Sequence, residues 1–444
     1  MLDPLPGPMD AESVIPLALF VLAFGLISRR LDSSIITAPM VFVAVGGLVS
    51  ATGSLALGFE PWVIDLLAET TLVLVLFSDA ARIDVRQLWR ERGLPLRLLL
   101  LSMPLTIALG AAVAALLFPA LSFWEAALLA AILAPTDAAL GQAVVSNERV
   151  PLRIRQALNV ESGLNDGIVL PLVMICAALA SAGAEGAEAS RSAGEWIVYG
   201  GLQVLLGPVV GAAIAIIGGR LISGAVDRKW MSSSFERLGG LSLALLAFLC
   251  AEQAGGNGFI SAFVAGLSLG ETAPEICPTI HEFIEAEGQA LMLLVFLLLG
   301  GVLAGPALAE ATPQMIGYAL LSLTLIRMLP TALSLIGARL SPVTTLFLGW
   351  FGPRGLASIL FGLLIVEDSQ APHREMIFTV VVLTVLLSVI AHGLSANPAA
   401  KRYGARLDRA RESSGGELPE HAEVVAHPTR VTMKRDRDSA RSRA

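Results

Sequence analysis

Apolar runs of about 18 residues or more recur along nearly the whole of this 444-residue chain, and they dictate what it can fold into. Inside a bilayer no water is available to the backbone, so a run of that length reads as a membrane-spanning helix. A transmembrane barrel would instead show segments of about ten residues with alternating polarity. The composition agrees: 55% of residues are hydrophobic, 15% are charged, and the mean hydropathy is +0.74. A soluble domain carries about 25% charged residues. The expected fold is therefore an all-α polytopic membrane protein. A soluble enzyme, a disordered protein and a disulfide-stapled secreted domain are excluded. A net charge of −7 argues against nucleic acid as a partner. Cys176, Cys250 and Cys277 make neither a disulfide framework nor a ligand cluster. The opening MLDPLPGPMDAES lacks a basic stretch, so no cleaved signal peptide is expected.

Hydropathy gives thirteen spans, at about 13–28, 35–51, 62–79, 95–118, 122–146, 153–181, 196–219, 238–254, 257–271, 287–304, 313–338, 343–366 and 375–395. Residues 274–286 could form a surface helix, and residues 396–444 form a polar tail. Lys and Arg collect in cytoplasmic loops. With the N-terminus outside, the inner loops hold fifteen of the thirty, and the outer loops hold only Arg191 and Arg374. The tail holds eleven, and Arg327 and Arg354 lie within spans. The expected topology is N-terminus out and C-terminus in the cytoplasm.

If span seven is a connector, spans one to six and eight to thirteen are two six-helix sets of opposite orientation. Such inverted repeats mark secondary transporters, with the site where helices are interrupted near the midplane. Span five contains Ala134-Pro135-Thr136-Asp137, and span twelve contains Gly349-Trp350-Phe351-Gly352-Pro353-Arg354-Gly355. Proline removes a backbone donor and clashes with the preceding turn. Both interruptions fall in the fifth helix of a repeat. A pair of packing kinks would explain the prolines, but not the Asp137 and Arg354 placed in the breaks.

Ionisable groups inside a membrane are costly and functional by default. Span six carries Asn159-Val160-Glu161-Ser162-Gly163-Leu164-Asn165-Asp166-Gly167. At helical spacing Glu161 and Asn165 share one face, and Ser162 and Asp166 the adjacent one. With Asp137, three deep carboxylates meet two guanidiniums, Arg327 and Arg354. The surplus carboxylate suits one monovalent cation or one proton; a buried network that only fixes packing is the plainer reading. Glu69 suits a funnel or a local pair. Asp79 and Glu252 suit capping or solvated positions. None of the five histidines has metal-ligand spacing.

Thr136-Asp137, Glu161-Ser162-Gly163-Leu164-Asn165-Asp166, Arg354-Gly355 and the stretch Leu76–Asp84 resemble the electroneutral branch of the monovalent cation:proton antiporters. That branch holds bacterial sodium/proton antiporters and sodium/proton exchangers. The resemblance covers about 13–395. Ala138 and Gly163 depart from the residues frequent there. It implies a core ion-transport part (about 95–181 and 313–395) and a dimerisation part (about 13–94 and 196–304). It further implies a homodimer in membrane lipid and elevator-like alternating access. Asp166 would exchange Na⁺ for H⁺. Thr136, Ser162 and Glu161 would join Asp166 as Na⁺ ligands, and Asn165 and Asp137 would belong to the site. Arg327 would pair with Glu161, and Arg354 with Asp137 would compensate the crossed half-helices. Asn165, where the electrogenic branch has a second aspartate, implies one proton per cation. No cofactor is implied beyond the transported Na⁺ and H⁺. The expected activity is Na⁺ (or Li⁺)/H⁺ antiport serving pH homeostasis. K⁺/H⁺ antiport and, less favoured, a sodium-coupled organic-solute symporter are the alternatives. An intramembrane enzyme lacks support, since neither HExxH nor a pair of catalytic aspartates on two facing spans is found.

Overall fold

The computed structural model describes residues 11–31, 34–52, 61–81, 93–145, 147–182, 193–414 and 419–421. The first ten residues, the loop arginines at 82, 86, 90 and 92, Arg191 and the tail from 422 lie outside them. The described residues contain helices and no strand. Seven helical stretches are long and apolar enough to cross a membrane: Leu94–Leu117, Leu152–Ser181, Leu205–Asp227, Ser233–Gln253, Glu287–Ala309, Pro313–Ser334 and Arg374–Ala410. Shorter apolar helices lie at Ile15–Ser28, Ala38–Thr52, Phe123–Ile132, Gly258–Thr272 and Leu356–Val366, and Pro61–Ala81 supplies span three. Every one of the thirteen spans read from the sequence has a helix, or a pair of helices, in its place.

Boundaries are set by local chemistry. Span nine starts at Gly258, where the Asn257 side chain accepts from Ile260 N–H at 2.9 Å and Glu252 accepts from Gly258 N–H at 2.6 Å. Glu252 is thus a cap for a helix start. Two boundaries differ from the sequence reading. Residues 277–286 are not a separate surface helix but the start of one helix, Cys277–Leu298. The last span does not end at 395: it continues as Arg374–Ser414, so the first part of the tail is helical. The reason is a buried stripe of Ala396, Ala400, Tyr403 and Leu407 at helical spacing. Tyr403 stacks on Phe347 with ring centroids 4.1 Å apart.

Spans four, five, six, eleven, twelve and thirteen pack largely on one another, with span five lying between four and six and span thirteen against eleven and twelve. Spans two, three, seven, eight, nine and ten make a second set, in which span nine is flanked by spans three, seven and eight. Span seven approaches span nine closely at Gly211, where an added Cβ would sit 2.1 Å from the Ser261 carbonyl oxygen; small residues permit such backbone contact. Span six runs along the seam, touching spans three, seven and nine. Outward positions such as Leu116 and Leu221 remain exposed, as expected of surfaces that face lipid.

Candidate functional site

Span five is two half-helices, Phe123–Ile132 and Ala138–Val145. The first starts with a capping box: Ser122 accepts from Glu125 N–H, and the Glu125 carboxylate accepts from Ser122 N–H at 2.9 Å. Span twelve is likewise split into Pro342–Trp350 and Leu356–Asp368. Each break strands carbonyls at the end of one half and N–H groups at the start of the next. At membrane depth those groups must find partners in the protein.

They find them in each other. Arg354, fully buried, donates from Nη1 to the carbonyls of Ala134 and Pro135 at 2.7 and 3.0 Å. Ser358 donates to the Ile132 carbonyl at 2.8 Å. In the other direction, Asp137 Oδ2 accepts from Leu356 N–H at 2.7 Å, and its Oδ1 accepts from Leu140 N–H at 3.1 Å. Asp137 N–H donates to the Pro353 carbonyl at 2.8 Å. The signs suit the helix ends, an anion at two N-termini and a cation at a C-terminus. Glycine makes the crossing possible. A Cβ on Gly355 would lie 2.0 Å from Asp137 Oδ2, and one on Gly352 would lie 2.4 Å from Arg327 Nε.

Span six passes this crossing as an unbroken helix, Leu152–Ala182. Glu161 and Arg327 form a buried ion pair at 2.6 Å. Thr136, Ser162 and Asn165 come together: Thr136 Oγ1 lies 3.0 Å from Ser162 Oγ and accepts from Asn165 Nδ2 at 2.7 Å. Asp166, the next residue along and one helical turn from Ser162 on the same face, is buried. Asn165 Oδ1, Asp166 Oδ1 and Glu161 Oε2 are buried without a hydrogen-bond donor among the described residues. Bare acceptor oxygens without donors suit a hard monovalent cation. Two of them belong to carboxylates, and since Glu161 is paired with Arg327 through its other oxygen, Asp166 is the one that can take a proton instead.

Of the lower-ranked residues, Glu69 lines a crevice with Ala68, Leu72, Phe259, Leu360, Leu363 and Leu364, where spans three, nine and twelve meet. Sequence reasoning missed Ser358, Ser388 and His392, which bond the broken ends from helix interiors. Ser388 and His392 did leave a signal: two polar residues one helical turn apart in an otherwise apolar stretch.

Paired broken helices, each compensated by a charged side chain from the other's break, define an ion-coupled secondary transporter. Comparison with known proteins narrows the class. The sodium/hydrogen exchanger transmembrane family model matches residues 15–402. The chain is 26% identical over 401 residues to the K(+)/H(+) antiporter NhaP of Alkalimonas amylolytica, covering 88% of this chain and 67% of that one. It is 26% identical over 374 residues to the Na(+)/H(+) antiporter ApNhaP of Aphanothece halophytica, covering 80% and 68%. Its fold is that of the sodium proton antiporter MjNhaP1 from Methanocaldococcus jannaschii at pH 8, with a TM-score of 0.67, 19% identity, and coverage of 86% of this chain and 98% of that one. The chain belongs to the sodium/hydrogen exchanger family. It is therefore an integral membrane antiporter of monovalent cations and protons, not an enzyme.

Proposed function

We propose that the chain exchanges Na⁺ (or Li⁺) for H⁺, one for one, with Asp166 as the carboxylate that holds either ion. The observation that carries this reading is the buried, donor-free oxygen of Asp166, one helical turn from Ser162 of the Thr136–Ser162–Asn165 cluster. Glu161 is held by Arg327, and Asp137 is held by two helix N-termini. Both keep their charge through the cycle, so Asp166 alone changes occupant. Asn165 hydrogen-bonds but does not titrate, so each half-cycle moves the same charge. Spans four to six and eleven to thirteen carry the site as one moving body in this scheme. The remaining spans form a homodimer in the lipid of a bacterial-type inner membrane, with the N-terminus outside, the C-terminus inside, and pH homeostasis as the role. A K⁺/H⁺ reading has its own support, because several relatives bear that name.

The test is cation-driven proton flux in proteoliposomes with Na⁺, Li⁺ and K⁺ compared. We expect Na⁺ or Li⁺ to drive it and K⁺ to be weaker; flux with K⁺ alone favours the second reading. A potential of 100 mV is worth about 2.3 kcal/mol per elementary charge moved. The ion gradient at which flux reverses should not shift under that potential. A shift would refute one-for-one exchange and point to a second titrating group, with Glu161 the first candidate.

A further inference from the structure

We infer that Ser388 and His392, on span thirteen, are positioning residues for cation/proton exchange that splint the break in span twelve. This rests on the exchange reading above. Both side chains are fully buried and lie one helical turn apart on the same face. Ser388 Oγ accepts from Arg354 N–H at 2.7 Å. His392 Nε2 lies 2.9 Å from the Trp350 carbonyl oxygen. A carbonyl only accepts, so in the neutral imidazole the single ring proton sits on Nε2 and Nδ1 is left as an acceptor. His392 Nδ1 lies 3.2 Å from Ser388 Oγ and 3.0 Å from the Ser388 carbonyl. A bare Nδ1 has no proton for the carbonyl, so the serine hydroxyl donates to it. One chain of hydrogen bonds results, from Arg354 N–H through Ser388 and His392 to the Trp350 carbonyl.

That chain ties the two sides of the break together. Trp350 is the last residue of the first half-helix, and Arg354 stands two residues before the second. The Trp350 indole also stacks on the imidazole, with centroids 5.1 Å apart, and donates to Ser395 at 2.9 Å. The splint reaches the cation cluster through one side chain. Arg354 holds the carbonyls of Ala134 and Pro135, and the next residue, Thr136, carries the hydroxyl on which Ser162 and Asn165 converge. Among the described residues no hydrogen bond joins His392 to that cluster, so its effect on the ion is through the position of Arg354.

Side-chain geometry supplies the test. The amide nitrogen of glutamine reaches the place of Nε2, whereas that of asparagine reaches only the place of Nδ1. Liposomes of wild type, His392→Gln, His392→Asn, His392→Ala and Ser388→Ala are compared for the KM of cation-driven proton flux, and each protein for its melting temperature. Expected is a Gln variant within about twofold of the wild-type KM, and Asn, His392→Ala and Ser388→Ala variants raised about fivefold or more. Should the alanine variants fail to fold, the comparison of Gln with Asn decides. Any other ranking, including a Gln variant as weak as Asn or one that does not fold, overturns the splint. Wild-type liposomes that show flux with neither Na⁺ nor K⁺ would refute the exchange reading instead.

Discussion

Asp137 Oδ2 accepts the N–H of Leu356 at 2.7 Å while its Oδ1 accepts that of Leu140 at 3.1 Å. One carboxylate therefore caps two half-helices that belong to different repeats. Asparagine could accept only one of these bonds, because its amide nitrogen would face an N–H. Losing a cap costs about 0.5–2 kcal/mol. Asp137→Asn should melt below wild type, and Asp137→Ala lower still. Melting curves in detergent check this; three superimposable curves would contradict it.

The Glu161–Arg327 pair at 2.6 Å is buried on both sides. Removing one partner strands a charge, which costs about 3–5 kcal/mol. Arg327→Ala should melt well below wild type. Combining Glu161→Gln with Arg327→Gln should recover part of the loss, because no uncompensated charge remains. A double variant as unstable as the sum of the two singles would show that the residues are not coupled.

Gly355 and Gly352 are where two charged side chains pass the backbone. Alanine at 355 would put Cβ 2.0 Å from Asp137 Oδ2, and at 352 it would put Cβ 2.4 Å from Arg327 Nε. Overpacking of this kind costs about 1–3 kcal/mol or more. Either alanine should destabilise the protein and depress transport. Gly349, whose nearest neighbour to an added Cβ is 3.3 Å away, should tolerate alanine better. Equal melting temperatures for all three variants would contradict the close crossing.

These contacts mark the boundary of what the sequence discloses. Pro135 and the Gly349–Gly355 run reveal the breaks, because proline removes a donor and glycine stiffens nothing. The Glu161–Asp166 run stands out because charge in hydrocarbon is costly. What satisfies the broken ends is not legible. That Arg354 takes the Ala134 and Pro135 carbonyls depends on how distant segments cross, which periodicity does not encode. His392 looks like a residue near a span end until the helix is seen to run on to Ser414. There, Lys401, Arg402 and Arg406 mask the stripe of Ala396, Ala400, Tyr403 and Leu407 that a search at helical spacing could have found.

Beyond that helix, Glu420 is buried against the start of the first half of span twelve. Its Oε1 accepts from Ser341 N–H at 2.8 Å and from Thr344 Oγ1 at 2.9 Å, and Arg153 donates to the Pro419 carbonyl. Burial acts against the charge, but the hydrogen bonds from Ser341 and Thr344 together hold the carboxyl below its ordinary value of 4.5. A depressed carboxylate contributes stability above its unfolded pKa and loses it as pH falls through the folded one. Docking of 419–421 should persist at neutral pH and weaken progressively as the pH falls below the ordinary carboxyl value of 4.5. Protection of the Ser341 amide, relative to the intrinsic exchange rate at each pH, should drop there, and in Glu420→Gln at neutral pH. An amide equally protected in the variant and the wild type would contradict the contact.

The central claim is that Asp166 is the group on which cation and proton compete. The most direct measurement is cation-driven proton flux in liposomes carrying Asp166→Asn beside wild type, with Na⁺, Li⁺ and K⁺ supplied in turn. Asparagine keeps the shape of the side chain but can neither titrate nor balance the charge of a bound ion. The account predicts a folded protein whose flux matches that of empty liposomes for every cation. Flux near the wild-type rate from Asp166→Asn would contradict it and remove Asp166 from the exchange.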